Sequence, residues 1–255
     1  MNYTSCTAEY VGHMLSDLAV VNAARQSFAK QKDVFDEKDA GLIQFLATGM
    51  RTAEWDAFLN EIMAIEDKVV LKRRLLAYKR QAQHWAPFGH PHVTLRLRMP
   101  IFLARQFVKH QVGGVWSEES RRYINEAPDA FVEPVLLGRP ADVKQGAAGP
   151  LCAERDLTAR LMIRNITRAA HDVYLKLVGP AIGLAPEQAR EVLPVNTMTG
   201  VTWTGSLLFW SRVVNQRVDS HAQGAAQALG RQIAAIVQPL YPVSWEALVG
   251  DGGQQ

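Results

Sequence analysis

"RQFVKHQVGGVWSEESRRY" runs from Arg105 to Tyr123, directly after the apolar run "MPIFLA". Three arginines, a lysine, a histidine and two glutamates fall within it. A solvated helix face would spread such charges at steps of three and four. Here the pattern breaks at Gly113 and Gly114, then resumes with carboxylates and guanidiniums side by side. Before the break, Ile101, Ala104 and Val108 share one side of a helix, and Arg105 and Lys109 share another. A helix is expected from Pro100, a suitable first residue, to about Val112, where the glycines stop it. After the break, an extended chain sets Glu118, Ser120 and Arg122 on one face. An arginine beside a serine hydroxyl suits a phosphate. A surface cluster of ion pairs is the competing reading of the same residues.

Working outward, "HVTLRLRMP" alternates Val93, Leu95, Leu97 and Met99 with Thr94, Arg96 and Arg98. That is a strand with one buried and one cationic face. "VNTMTGVTWTG" also has strand composition, and "LAVVNAARQSF" opens like a strand before a small-residue turn or helix. Helices are expected in "EKDAGLIQFLATGM", with Asp39 near its start and Gly49 near its end, and continuously over 53–83. Trp55, Phe58, Leu59, Ile62, Ile65 and Val69 supply the periodicity there. Further helices are expected over 152–178, closed by Gly179-Pro180, in "APEQAREVLP", in "SLLFWSRVVNQRV", and from a cap at Asp219 or Ser220 to about Pro239. Residues 131–150 read as loop. Many helices, few strands and no βαβ alternation indicate an α+β fold, helices packed around a small, mostly antiparallel sheet. No internal boundary stands out, so 1–255 is expected to be one domain.

The bulk numbers are restrictive. The 255 residues are 48% apolar, enough for a sizeable core. Net charge is +3, too mild an excess to indicate nucleic acid. No apolar run approaches the roughly 20 residues of a membrane span, and "MNYTSCTAEY" lacks a signal-peptide layout, so a cytoplasmic protein is expected. The two cysteines, Cys6 and Cys152, have neither CxxC spacing nor a histidine beside them.

The residue order in the opening stretch resembles the signature of the flavin-dependent thymidylate synthases, the ThyX type. That family places R-H-R before a short spacer and ends on N-E-x-S-x-R-Y. Here Lys109-His110-Gln111 stands at R-H-R and "SEESRRY" at the end, with one extra spacer residue. "VVNAARQSF", "HWAPFGHPHVTLRLRMPIFLARQ", "QAREVLPVNTMTGVTWTGSL" and "VNQRVDSHAQ" resemble further family blocks, in family order. Relative to compact members, the helical stretch at about 53–83 looks like an insertion.

The resemblance implies transfer of a one-carbon unit from methylenetetrahydrofolate to C5 of dUMP, giving dTMP, with FAD as the flavin and NADPH as reductant. It implies that Gln106, Lys109, Ser120, Arg122 and Arg190, with Glu118 and Glu119, hold dUMP. It also implies that Arg217 stabilises negative charge on N3 of the uracil, as a guanidinium can without giving up its proton. FAD would meet Lys109, His110, Gln111, Glu118, Ser206 and Arg212. A homotetramer with shared sites is implied as well. The chain departs from the family at Lys109 and Gln111, which lack the paired donors of arginine, at Ala86, Gly89 and Arg212. Arg212 is suggested to replace positive charge lost at position 111. His221 reads as structural. Within the family, a hydroxymethylating enzyme or a UMP methylase is the alternative. From other classes, a metal hydrolase using His84, His90 and His92, or a nucleic-acid-binding module using "LKRRLLAYKRQ", would compete.

Overall fold

The computed structural model describes residues 2–79, 83–140 and 147–250. Four strands form one antiparallel sheet: β1 (Thr7–Met14), β2 (His92–Pro100), β3 (Gly114–Glu118) and β4 (Met198–Ser206), in the order β1-β2-β4-β3. Among the described residues, ten α-helices accompany it. They are α1 (Asp17–Arg25), α2 (Glu37–Thr48), α3 (Thr52–Met63), α4 (Lys68–Lys79), α5 (Ile101–Phe107), α6 (Ala153–Val178), α7 (Pro186–Ala189), α8 (Leu207–Arg217), α9 (Gly224–Val237) and α10 (Pro242–Val249). The expected α+β class is what the chain adopts.

The alternation in β2 is real. Val93, Leu95, Leu97 and Met99 are fully buried, while Arg96 lies in solvent and Arg98 reaches Asp129 at 2.6 Å on the opposite face. Leu95 lies opposite Trp203 of β4, and the Thr94 and Thr204 hydroxyls meet across the strands at 2.9 Å. Trp203, Phe209 and Trp210 then pack edge to face, joining β4 to α8. Such contacts add to the area that the rings remove from water.

Several elements differ from their sequence reading. The Val20-Val21 pair looks like the start of a strand, yet it belongs to α1 and is wholly buried there. Tertiary contact decides against β propensity: Asp17, in the first turn, accepts the backbone N–H groups of Val243 and Ser244 at 3.0 and 3.1 Å, tying α1 to α10. The stretch 53–83 is two helices, because Asp67 accepts the Val69 and Val70 N–H groups and starts a new one; residues 80–82 lie outside the described residues. Trp55, Phe58 and Tyr78 hold α3 against α4, with Arg74 over the Phe58 ring. Asp219 and Ser220 do not cap the next helix. Asp219 turns back onto the His221 N–H at 2.8 Å, and α9 begins only at Gly224 after its cap residue Gln223. The helix then stops at Val237, and α10, unforeseen from the sequence, follows at Pro242.

The expected helix from Pro100 to Val112 ends early, at Phe107. The glycines have a different task from stopping it. Gly113 takes φ +88°, a conformation that side chains with a Cβ resist. Gly114 lies opposite Gly205 in the sheet, and the Phe209 ring covers both; a Cβ on Gly114 would stand 2.6 Å from that ring. Lys109, His110 and Gln111 therefore occupy a short connection between helix and strand. Within the loop-like 131–150, residues 141–146 lie outside the described residues.

Candidate active site

The end of α5 and the end of α8 converge. Arg217, in the last turn of α8, donates from Nε to His110 Nε2 at 3.0 Å and from Nη2 to the Gln106 carbonyl at 2.5 Å. Its guanidinium also lies over the Phe107 ring, 5.3 Å from the centroid. Three contacts from one short segment leave it little freedom. Burial lowers the Arg217 pKa, and burial together with the Arg217 charge holds His110 down to about 4. The imidazole is therefore neutral near pH 7, with Nε2 bare and the proton on Nδ1. The Gln106 amide extends the network to Gln223 at 3.0 Å, and Gln223 continues to Glu133 at 2.7 Å.

β3 presents the second group. Glu118 accepts the Thr199 hydroxyl at 3.0 Å and the Trp116 indole at 3.1 Å. Glu119 extends the ladder by one bond, its N–H donating to the Gly200 carbonyl at 2.8 Å. The strand ends at Glu118, so Ser120 and Arg122 share a turn rather than an extended face. The Ser120 hydroxyl still accepts from Arg122 Nε, at 3.3 Å. The serine and guanidinium are thus together, as an anion requires. At the far end of the glycine break, Ser206 caps α8 by accepting the Phe209 N–H at 3.2 Å, and its own N–H meets the Gly113 carbonyl.

Other expected residues stand apart. Lys109, Gln111 and Arg212 are exposed and make no side-chain hydrogen bond or ion pair with the described residues, which leaves their donors available to a ligand. Arg190 lies on a short turn after α7, with Nε on the Glu187 carbonyl at 3.0 Å; among the described residues nothing joins it to Ser120 or Arg217. His221 is exposed against Asp219. The His84, His90 and His92 triplet does not converge on a cation. His92 Nδ1 faces the His90 carbonyl at 2.8 Å, the His84 ring stacks near Phe45, and the described residues hold no group of three or more metal-ligating side chains. Among the described residues, no helix is long and apolar enough to cross a membrane.

Sequence reading missed a cleft of about 830 Å³ between α1, α2 and the turn Ala86–Gly89, lined by Phe28, Phe45, His84, Trp85 and Ala86 among others. Its apolar, aromatic wall suits a flat ring system. Its wall reaches Pro87 and His90, just ahead of β2. Ala86 contributes a methyl group to that wall. Sequence reading also passed over Gln223, Thr199 and Arg121, which act through folded contacts alone.

On this antiparallel α+β scaffold the end of α5 is thus joined to Arg217 of α8. The model of the Thy1 family, thymidylate synthase complementing protein, matches residues 10–243. Flavin-dependent thymidylate synthase of Thermosipho melanesiensis is 30% identical over 177 residues, covering 69% of this chain and 76% of the relative. That of Thermosipho africanus is 28% identical over 239 residues, covering 94% and 89%. Among solved structures, PolB of Streptomyces cacaoi, a UMP/dUMP methylase bound with 5-Br dUMP, superposes with a TM-score of 0.74 at 26% identity, covering 99% of each chain. The chain belongs to the flavin-dependent thymidylate synthase family, and so to the FAD-dependent methyltransferases.

Proposed function

We propose that the enzyme transfers a one-carbon unit from methylenetetrahydrofolate to C5 of dUMP, giving dTMP, with NADPH as the reductant of its FAD, in the cytoplasm. The observation that carries this reading is the fixed Arg217 guanidinium, held at His110 and Gln106, while the turn after β3 pairs Ser120 with Arg122. C5 of a uracil becomes nucleophilic when negative charge gathers in the ring. A half-buried cation aimed at N3 favours that charge more than the same cation in water would. Ser120 and Arg122 bind the phosphate, with the Glu118–Glu119 segment alongside, and Gln106 orients the base.

FAD, when bound, supplies the one-carbon relay and the hydride, chemistry that no side chain here supplies. The residues fit it. Lys109 and Arg212 offer uncommitted cationic donors, Gln111 an uncommitted amide, and neutral His110 a flat ring partner. Ser206 holds the helix start that closes the site, and Glu118 fixes the edge of β3. Lys109 meets a phosphate as a point charge, on either the flavin or the nucleotide.

The site is completed by other copies in a homotetramer. Leu157, Leu161, Met162 and Ile166 are exposed apolar side chains on α6, the kind of surface a second copy covers. The turn bearing Arg190 lies against the same helix. That arrangement lets Arg190 serve a neighbour's nucleotide. Light scattering tests it: a tetramer supports shared sites, and a monomer contradicts them.

The similarity to PolB over 99% of both chains supports a second reading, in which UMP is methylated as well. Turnover of UMP and dUMP, compared under identical conditions by mass of the product, separates the two.

A further inference from the structure

Between Glu118 and Glu126 the chain leaves the sheet, and its outward side chains are exposed; Tyr123 retains 76% of its surface. Arg121 turns inward instead. Its side chain is 16% exposed although it sits between Ser120 and Arg122, the two residues read here as phosphate ligands. Nη1 donates to the Glu126 carbonyl at 2.7 Å, and Nη2 lies 3.5 Å from Glu119 Oε1. One guanidinium thus ties the start of the turn to its end. Glu119 is itself fixed to β4 through Gly200, and the buried Tyr174 hydroxyl on α6 donates to the Ile124 carbonyl at 2.6 Å.

We propose that Arg121 is a positioning residue for the nucleotide: it closes the 119–126 turn from beneath, so that Ser120 and Arg122 face the phosphate together. The proposal rests on the reading of Ser120 and Arg122 as phosphate ligands. The inward fork of Arg121 is what directs its two neighbours outward. The two tethers differ in weight. A single 3.5 Å ion pair near the surface contributes little, whereas a short charge-assisted bond to a carbonyl is among the stronger contacts available. Removing the guanidinium therefore matters more than removing the Glu119 charge. Lysine can reach one of the two partners but cannot fork to both.

The test uses the full-length holoenzyme. We expect Arg121→Ala to raise KM for dUMP about tenfold while kcat stays within about threefold, since a ligand pre-arranged before binding loses affinity when its turn loosens. Arg121→Lys should recover part of that loss, and Glu119→Gln should raise KM only two- to threefold. Unchanged KM in Arg121→Ala, or an equal fall in kcat, overturns the proposal. If Arg121→Ala does not fold, Arg121→Lys decides: a KM equal to that of the unaltered enzyme overturns it. Calorimetry with dUMP separates this from the functional reading. No binding by the unaltered enzyme removes the phosphate assignment, whereas normal binding to enzyme and variant alike removes only the role of Arg121.

Discussion

Arg217 donates from Nε to His110 Nε2 at 3.0 Å, a bond that exists only while the imidazole is neutral. Each residue thereby sets the other's state. The guanidinium keeps the proton off Nε2, and the bare nitrogen fixes the plane of the guanidinium. Lysine gathers its donors on one nitrogen and lacks arginine's planar fork, so it does not reproduce the separate bonds to His110 and the Gln106 carbonyl. Arg217→Lys should lower kcat/KM for dUMP at least about a hundredfold, roughly the effect of losing one well-placed donor. Circular dichroism should remain unchanged. Activity within about threefold of the parent would remove Arg217 from the mechanism.

The same bond has a pH consequence. His110 is held down to about 4 from 6.5, first by burial and then by Arg217, and burial likewise lowers buried His171. A histidine with a depressed folded pKa stabilises the fold above its unfolded pKa, near 6.5, and that contribution is lost as pH falls toward the folded value. The thermal midpoint should therefore decline from pH 6.5 to about pH 4. His110→Asn should flatten part of that decline. A midpoint that is flat over this window, or an unaltered slope in the variant, would contradict the assignment.

Gly205 is under the Phe209 ring, and an added Cβ would enter that ring. Gly205→Ala should cost about 3 kcal/mol, at the upper end of what overpacking does. Gly12→Ala, with nothing within 4 Å of the new carbon, is the matched control and should be close to neutral. Chemical denaturation of both variants checks this, and equal midpoints would show that Phe209 yields.

Arg212 is exposed on α8 with no side-chain partner among the described residues. If it replaces charge lost at Gln111, Arg212→Ala should weaken FAD binding several-fold with no loss of stability. Flavin fluorescence titration measures it, and an unchanged affinity contradicts the compensation.

Much of this architecture was legible in the residues. The alternation in "HVTLRLRMP" identified β2 and both of its faces, and Gly49 closes α2 as its position indicated, at φ +76°. The opening stretch reads as a candidate site because its charge does not fit one helix face. What the chain order concealed is contact between distant segments. Val20 and Val21 are helical because Asp17 reaches α10, more than two hundred residues away. Gly113 and Gly114 stop α5 in a sequence reading, whereas in the fold they receive Phe209. Arg121 reads as one more surface charge until its carbonyl partner at Glu126 is known. Arg190 lies outside the constellation because a single chain does not bring it there.

The most direct measurement is the mass of the nucleotide after incubation with FAD, NADPH, methylenetetrahydrofolate and dUMP. A gain of one methyl group establishes thymidylate formation and shows that Lys109 and Gln111 suffice for the flavin. A hydroxymethyl product, or no change in dUMP, would contradict the proposed reaction.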